Sequence, residues 1–262
     1  MKFSIVTPSF NQGKFIEDCF KSILKQKGNF KIQYIIVDAL STDETFKAIK
    51  DYRTKFKKAG IDFLIVREKD SGQVDAINKG FKKADGDILA FLNSDDFYEP
   101  SALKTINEYF DYHPKVDWVF GGWNFVNEKG KLFRSYKPSF FPENRFRAYG
   151  FNIGQPSCFF KRSIYAKVGG LDKNLDLTLD YDLWLKFIKH SKPGVINSVL
   201  SNMRYYSKTK SSQNMLRHNH EAFKTAKKYL PKNLILLIFL YFNFVIGFVM
   251  IKLGRNISQN IK

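Results

Sequence analysis

The feature that most constrains this chain is an alternation, over its first half, of short β-branched runs with longer segments of helical spacing. Residues 3–7 form a buried-strand run ended by Pro8 and Ser9. Phe15, Ile16, Cys19, Phe20, Ile23 and Leu24 then recur at the spacing of a helix over 15–26. A second strand follows at 34–37, a helix with a lysine-rich solvated face at 43–58, and a third strand at 63–66. Residues 73–83 read as a helix and 88–92 as a fourth strand, and Pro100, suited to a first helical turn, opens a helix running to Tyr112. This rhythm predicts an α/β fold with a mostly parallel, Rossmann-like sheet and helices on both faces. Gly130 marks a turn between two further strand-like runs, 118–126 and 131–136, and no internal repeat or long low-complexity linker appears.

In open α/β sheets, ligands bind outside the carboxyl ends of the strands. Here those ends carry polar groups one after another. Strand one ends at Thr7, Pro8 and Ser9, strand two at Asp38, and strand four at Asn93, Ser94, Asp95 and Asp96; the segment after strand three holds Glu68, Asp70, Gln73 and Asp75. Four strand ends are thus expected to point carboxylates and hydroxyls at one edge.

Each run also has a plainer structural reading. Asp95 and Asp96, adjacent at the end of an apolar strand, raise each other's pKa. A hard divalent cation such as Mg²⁺ or Mn²⁺ resolves that conflict and bridges to substrate phosphates; alternatively, one of the two caps a helix. In the run 38–45, Ser41 or Thr42 with Glu44 or Thr45 can cap the next helix, leaving Asp38 free to accept from a ligand amide. The run 70–80 reads by itself as a turn into a capped helix. His113, His190, His218 and His220 form no ligand constellation, and the last two read as surface residues. The 27 phenylalanines and 13 tyrosines are assigned to the core.

The chain is long enough, at 262 residues, for one domain with additions, or for two. Its formal net charge of +18 favours polyanions, whether nucleic acid, anionic lipid or phosphorylated substrate. No basic-aromatic RNA motif or DNA-binding helix pair accompanies that charge, and the acidic strand ends would repel phosphates without a metal, so no nucleic-acid partner is expected. Cys19 and Cys158 lie far apart, which predicts free thiols in a reducing cytoplasm. The opening Lys2–Val6 runs straight into a strand, so no signal peptide is expected.

Taken in order and spacing, Thr7-Pro8-Ser9-Phe10-Asn11, the 38–45 run, the 70–80 run and Asn93–Asp96 resemble the motifs of family 2 glycosyltransferases. Gly169-Gly170-Leu171-Asp172 and Leu179-Asp180-Tyr181-Asp182-Leu183-Trp184 look like the acceptor-side half of the same family, and the resemblance covers about 1–210. It implies a GT-A fold, with a nucleotide-binding half over about 1–98 and an acceptor-binding half over about 99–210. It implies an inverting transfer, by direct displacement, from a nucleotide-diphosphate donor, a UDP-sugar, to a saccharide or lipid-linked acceptor in surface polysaccharide synthesis. Donor contacts fall to Thr7, Pro8, Ser9, Phe10, Asp38, Asp70, Gln73, Asn78, Lys79, Asn93 and Ser94, and a Mn²⁺ or Mg²⁺ ion to Asp95 and then Asp96. Asn93 stands where the family's first metal-binding aspartate often sits. The acceptor side falls to Gln155, Asp182 and Trp184. The catalytic base falls to Asp180, the aspartate of a Glu-Asp pair whose glutamate is here Leu179; a helix cap at Asp180, or a base at Asp182, is the alternative. These departures leave a second reading, a catalytically degenerate relative that binds nucleotide or acts as a scaffold.

Residues 211–262 form a C-terminal helical region whose stretch 234–251 is nearly continuously apolar, broken by Asn243 and Gly247. That length is at the lower edge of a membrane span. Flanking Lys227, Lys228, Lys232, Lys252, Arg255 and Lys262 suit an interfacial helix on an anionic inner leaflet. The expected location is therefore cytoplasmic, peripheral to the inner face of the cell membrane; a true span, a helical hairpin in the interface, an oligomer interface or a helix packed on the domain are the alternatives.

Overall fold

In the computed structural model, residues 1–139, 153–229 and 234–252 are described. The first half follows the alternation read from the sequence: β1 (Lys2–Ser9), α1 (Ile16–Leu24), β2 (Lys31–Asp38), α2 (Thr45–Lys58), β3 (Asp62–Arg67), α3 (Gln73–Lys83) and β4 (Ile88–Phe91). Then come β5 (Phe97–Tyr98), α4 (Ala102–Tyr112) and the antiparallel hairpin β6 (Trp118–Val126) and β7 (Leu132–Tyr136), turned at Gly130 with φ +78°. The remainder comprises β8 (Cys158–Lys161), α5 (Arg162–Lys167), α6 (Leu179–Ile188), β9 (Gly194–Arg204), α7 (Lys210–Gln213), α8 (Met215–Tyr229) and α9 (Leu234–Lys252).

Among the described residues one sheet has the order β3-β2-β1-β4-β8-β6-β9-β5, with β7 beside β6. The strands β3, β2, β1 and β4 are parallel, as the crossover helices between them require. The expected mostly parallel sheet is only half present. Strand β8 runs antiparallel between β4 and β6, and β5 runs antiparallel to β9, so the sheet is mixed. The sequence signal for β8 and β9 is weak, because neither supplies a clear alternation of its own. Strand β1 also runs through Pro8 to Ser9, beyond the stop read at Pro8. Its pairing with β4 ends at Val6, so the missing N–H of Pro8 leaves no ladder bond unmade on that side.

Period-two alternation in the buried strands divides the core into two layers. Val6, Ile35, Val37, Leu89 and Phe91 face α3 and α6, packing on Ile77, Phe81, Leu183, Trp184 and Phe187. Ile5, Tyr34, Ile36, Ile88 and Ala90 face α1, α2 and α4, packing on Phe20, Ile49, Phe56, Leu103 and Ile106. Gly80 allows α3 to lie directly on β1, since a Cβ there would stand 2.3 Å from Val6 Cγ1. Both cysteines are buried and free, as the composition predicted.

Candidate functional site

At the carboxyl ends of β1, β3 and β4 the described residues enclose a cavity of about 700 Å³. Pro8, Ser9 and Phe10 line it from β1, Asp70, Gly72 and Gln73 from the turn into α3, and Asn93 to Asp96 from the end of β4. Asp180 enters from α6, and Arg204, Tyr206, Lys208, Lys210 and His218 close the far wall.

The loops at the first two strand ends are sewn together. The hydroxyl of Ser41 accepts the N–H of Asn11 at 2.9 Å, Thr45 Oγ1 that of Gln12 at 2.7 Å, and Asp43 Oδ2 that of Gly13 at 3.0 Å. In return Asn11 Oδ1 accepts the N–H of Thr42 at 2.9 Å. The run 38–45 therefore grips the loop that presents Ser9 and Phe10. Neither Ser41 nor Thr42 caps the next helix: its N-cap is Glu44, whose side chain makes no capping bond, and the N–H of Thr45 goes to Asp43 Oδ1 at 3.0 Å.

Asp38 is fully buried, accepting from the backbone and hydroxyl of Ser41 and from Arg67 Nε at 3.1 Å, and it is not among the cavity-lining residues. Thr7 also turns inward, where its Oγ1 accepts from the Tyr34 hydroxyl at 3.0 Å. Ser9 behaves differently. It is buried at the cavity wall and its hydroxyl has no partner among the described residues, a polar group positioned to receive a ligand.

The turn into α3 is built as the sequence suggested, with Asp70 Oδ1 accepting the N–H of Gly72 and Asp75 Oδ2 that of Ser71. Asp70 and Gln73 reach the cavity. Asn78 instead accepts from the Tyr165 hydroxyl at 2.9 Å, and Lys79 pairs with Glu68 and Asp75, both at 3.2 Å, so these two side chains serve the scaffold.

Asn93, the departure from the expected aspartate, is the hub of an amide network. Its Oδ1 accepts from Gln73 Nε2 at 2.7 Å, and its Nδ2 contacts both Asp96 Oδ2 and Gln155 Oε1 at 3.1 Å. Gln155 in turn donates to the carbonyl of Phe91. An aspartate at position 93 would accept from Gln73 but repel Asp96 and Gln155, so asparagine is the residue this geometry accommodates.

The helix-cap reading of Asp95 and Asp96 does not hold, because they lead into β5 and the next helix begins only at Ala102. Asp96 is buried and engaged: Oδ1 accepts the N–H of Arg204 at 2.8 Å and Oδ2 faces Asn93. Burial, then the charge of Asp95, pushes its carboxyl well above the ordinary range. Burial raises Asp95 as well, opposed by Arg204. The guanidinium of Arg204 clamps the segment, donating to the Asp95 carbonyl at 2.9 Å, the Glu128 carbonyl at 2.7 Å and Asp18 Oδ2 at 2.8 Å. Among the described residues no group of three or more His, Cys, Asp or Glu converges on a metal position. Asp95 is a half-buried carboxylate at the cavity, with no side-chain hydrogen bond among the described residues, and such a donor fits an ion that keeps its waters and arrives with substrate phosphates.

Asp180 lies one residue inside α6, whose N-cap is Thr178, so it is not the cap. Its Oδ1 accepts the N–H of Tyr181 at 2.8 Å, and burial raises its carboxyl to about 6. Neither Asp182 nor Trp184 lines the cavity. Asp182 is 1% exposed and accepts from the Tyr229 hydroxyl at 2.6 Å, while Trp184 lies against Trp118 with ring centres 6.0 Å apart.

The far wall holds the residues that sequence reasoning missed. His218, read as a surface residue, lines the cavity, as do Arg204, Lys208 and Lys210. Trp123, Phe125, Tyr205 and Tyr206 also line it, so not every aromatic side chain belongs to the core. No motif marks these positions; a cluster of Lys and Tyr at 204–210 is the one signal that sequence carries.

Residues 4–169 match the family model described as glycosyl transferase family 2. An uncharacterized glycosyltransferase of Rickettsia conorii is 27% identical over 232 residues, which is 83% of this chain and 36% of the relative. A PGL/p-HBAD biosynthesis glycosyltransferase of Mycobacterium bovis is 29% identical over 182 residues, covering 69% of this chain and 67% of its own length. The chain thus spans little more than a third of the Rickettsia relative. Among solved structures, S. aureus TarS in complex with UDP-GlcNAc superposes with TM-score 0.66 at 17% identity, over 86% of this chain and 66% of that one. The mannosyltransferase PcManGT from Pyrobaculum calidifontis, in complex with GDP-Man and Mn²⁺, gives 0.66 at 17%, over 91% and 68%. At that identity the likeness speaks to the fold, a curled mixed sheet of GT-A type. With the match spanning the ends of β1, β3 and β4 that line one side of the cavity, this chain belongs to glycosyl transferase family 2.

Proposed function

We propose that this chain is an inverting glycosyltransferase that moves a sugar from a nucleoside diphosphate donor, a UDP-sugar, to a hydroxyl of a saccharide or lipid-linked saccharide in surface polysaccharide synthesis. The observation that carries this reading is the placement of Asp180 in the same cavity as Ser9, Asp70 and Asp95. The complexes of TarS with UDP-GlcNAc and of PcManGT with GDP-Man and Mn²⁺ support the donor class.

In this reading Ser9, Phe10, Asp70 and Gln73 hold the nucleotide, within a nucleotide-binding half over about 1–98. Lys208 faces the diphosphate from the acceptor-binding half, about 99–210. Asp95 would hold a Mn²⁺ or Mg²⁺ ion, which supplies neutralisation of the charge on the departing diphosphate. Asp180 accepts the proton of the attacking hydroxyl. A carboxylate with a pKa of about 6 is a stronger base than an ordinary aspartate and is still ionised at neutral pH.

The C-terminal helical region, 211–262, is proposed to meet an anionic membrane surface. Helix α9 exposes Ile238, Tyr241, Phe242, Val245, Ile246 and Val249. Among the described residues no helix is long and apolar enough to cross a membrane, so the reading is of a helix lying along the surface. The flanking Lys232, Arg255 and Lys262 lie outside the described residues.

The test is calorimetric titration of UDP, GDP and dTDP, with and without Mn²⁺, into the protein and into Asp95→Ala. Metal-dependent binding of one nucleotide, lost in the variant, is the expected result. Failure of all three to bind would overturn the transferase reading in favour of a degenerate scaffold.

A further inference from the structure

Helix α6 opens without a local cap, for the side chain of Thr178 makes no bond to the first turn. The N–H groups leading into the helix go instead to a residue more than forty positions later. Glu221, on α8, accepts the N–H of Asp176 at 3.1 Å, of Leu177 at 2.8 Å and of Thr178 at 2.9 Å, all on Oε1. The same oxygen accepts the Thr178 hydroxyl at 2.9 Å, and that hydroxyl lies 3.1 Å from Thr225 Oγ1, one turn further along α8. Burial alone would raise the Glu221 carboxyl, but the bonds from Leu177, Thr178 and Asp176 outweigh it and hold it below the usual range, so it stays ionised. A carboxylate there also suits the positive end of the α6 dipole.

A bonding pattern of three consecutive amides and a hydroxyl on one oxygen fixes the 176–178 backbone. That backbone is the entry to the turn that carries Asp180, two residues on. We infer that Glu221 is a positioning residue for Asp180, orienting its carboxylate toward the cavity and placing a permanent negative charge behind it. The inference rests on the reading of Asp180 as the base.

The charged and titratable groups around Asp180 leave Glu221 as the one that acts on it. His218, also on α8, is kept towards its neutral form by burial. The Cys158 thiol of β8 is pushed well up, by burial first and by Asp180 second, and stays protonated. Burial likewise pushes up the Tyr181 phenol. Asp176 is paired with Lys210 and, at 3.0 Å, with Arg217. The charge of Glu221 therefore adds to burial in raising the Asp180 carboxyl.

The experiment is a carbon-detected NMR titration of the Asp180 carboxyl, assigned by its loss in Asp180→Asn, in wild type, Glu221→Gln and Glu221→Ala, with thermal melting in parallel. Glutamine keeps an acceptor oxygen while removing the charge. The Asp180 midpoint is expected to fall in Glu221→Gln by about half a pH unit or more, with melting close to wild type. It is expected to move again in Glu221→Ala, where the cap is lost too. A midpoint unmoved in both variants, with only the melting temperature lowered, would make Glu221 a helix cap and overturn the proposal. Absence of nucleotide binding in the calorimetric test leaves this titration intact, so the two readings fail separately.

Discussion

Asp180 and Asp182 stand two residues apart on α6 and face opposite surroundings, the first lining the cavity and the second sealed against Tyr229 at 2.6 Å and Lys186 at 2.8 Å. A separation of two residues turns a helix by about 200°, so one of the pair can serve a site only if the other serves the scaffold. Asp180→Asn is expected to reduce turnover by about 10²-fold or more while leaving the nucleotide dissociation constant near wild type. Steady-state rates on the donor identified by calorimetry check this; undiminished turnover would remove Asp180 as the base.

The same carboxyl predicts a pH dependence of two kinds. Activity should rise with pH through about 6 and then level off, since in the proposed role the ionised form accepts the proton. Stability should run in the opposite sense. A carboxyl whose folded pKa lies above its unfolded value binds more protons in the folded state. Its contribution is therefore most favourable below about pH 4 and is lost as pH rises to about 6. Asp180→Asn should stabilise the fold at pH 8 but hardly at pH 4, by an amount on the order of 3 kcal/mol at most, and thermal melting at the two pH values reads the difference.

Tyr229→Phe removes the hydroxyl that pins α8 to Asp182. A buried carboxylate left one partner short costs about 1–3 kcal/mol, and urea denaturation should show a loss of that size. Because Asp182 does not line the cavity, the folded fraction should keep its nucleotide affinity; a specific loss of binding would return Asp182 to the site.

Asn93→Asp sets a third carboxylate beside Asp95 and Asp96 and replaces a donor to Asp96 and Gln155. The variant is expected to melt lower than wild type without metal, by about 1–3 kcal/mol, and to regain part of that with Mn²⁺ and nucleotide. Thermal shifts recorded with and without Mn²⁺ decide it, and a variant as stable as wild type without metal would show the amide network to be unimportant.

Tyr241 and Phe242 are each 61% exposed on α9. Replacing both with serine should weaken sedimentation with vesicles containing anionic lipid, and binding of the native chain should fall as salt is raised, since counterions screen the lysines. Equal sedimentation of native and variant protein would exclude this face as the lipid contact.

The alternation of strands and helices up to Tyr112, the polar strand ends and the apolar tail were legible in the order of residues, because period and punctuation are local properties. The parallel half of the sheet followed from them, as did the place of Ser9, Asp70, Gln73 and Asp95. Which neighbour of a motif faces the ligand was not legible. Thr7 and Asp38 occupy motif positions yet spend their oxygens on Tyr34, Ser41 and Arg67, because hydrogen-bond partners come from elements distant in the chain. The antiparallel insertion of β8 and the return of 204–218 to the cavity likewise depend on packing between segments that share no sequence signal. Composition and period determined that this chain builds an α/β sheet with an acidic edge. Tertiary packing decided that Asp180 meets that edge, that Arg204 holds its two aspartates, and that Glu221 closes the entry to the helix that carries Asp180, since each arrangement joins residues whose contact exists only once the sheet has formed.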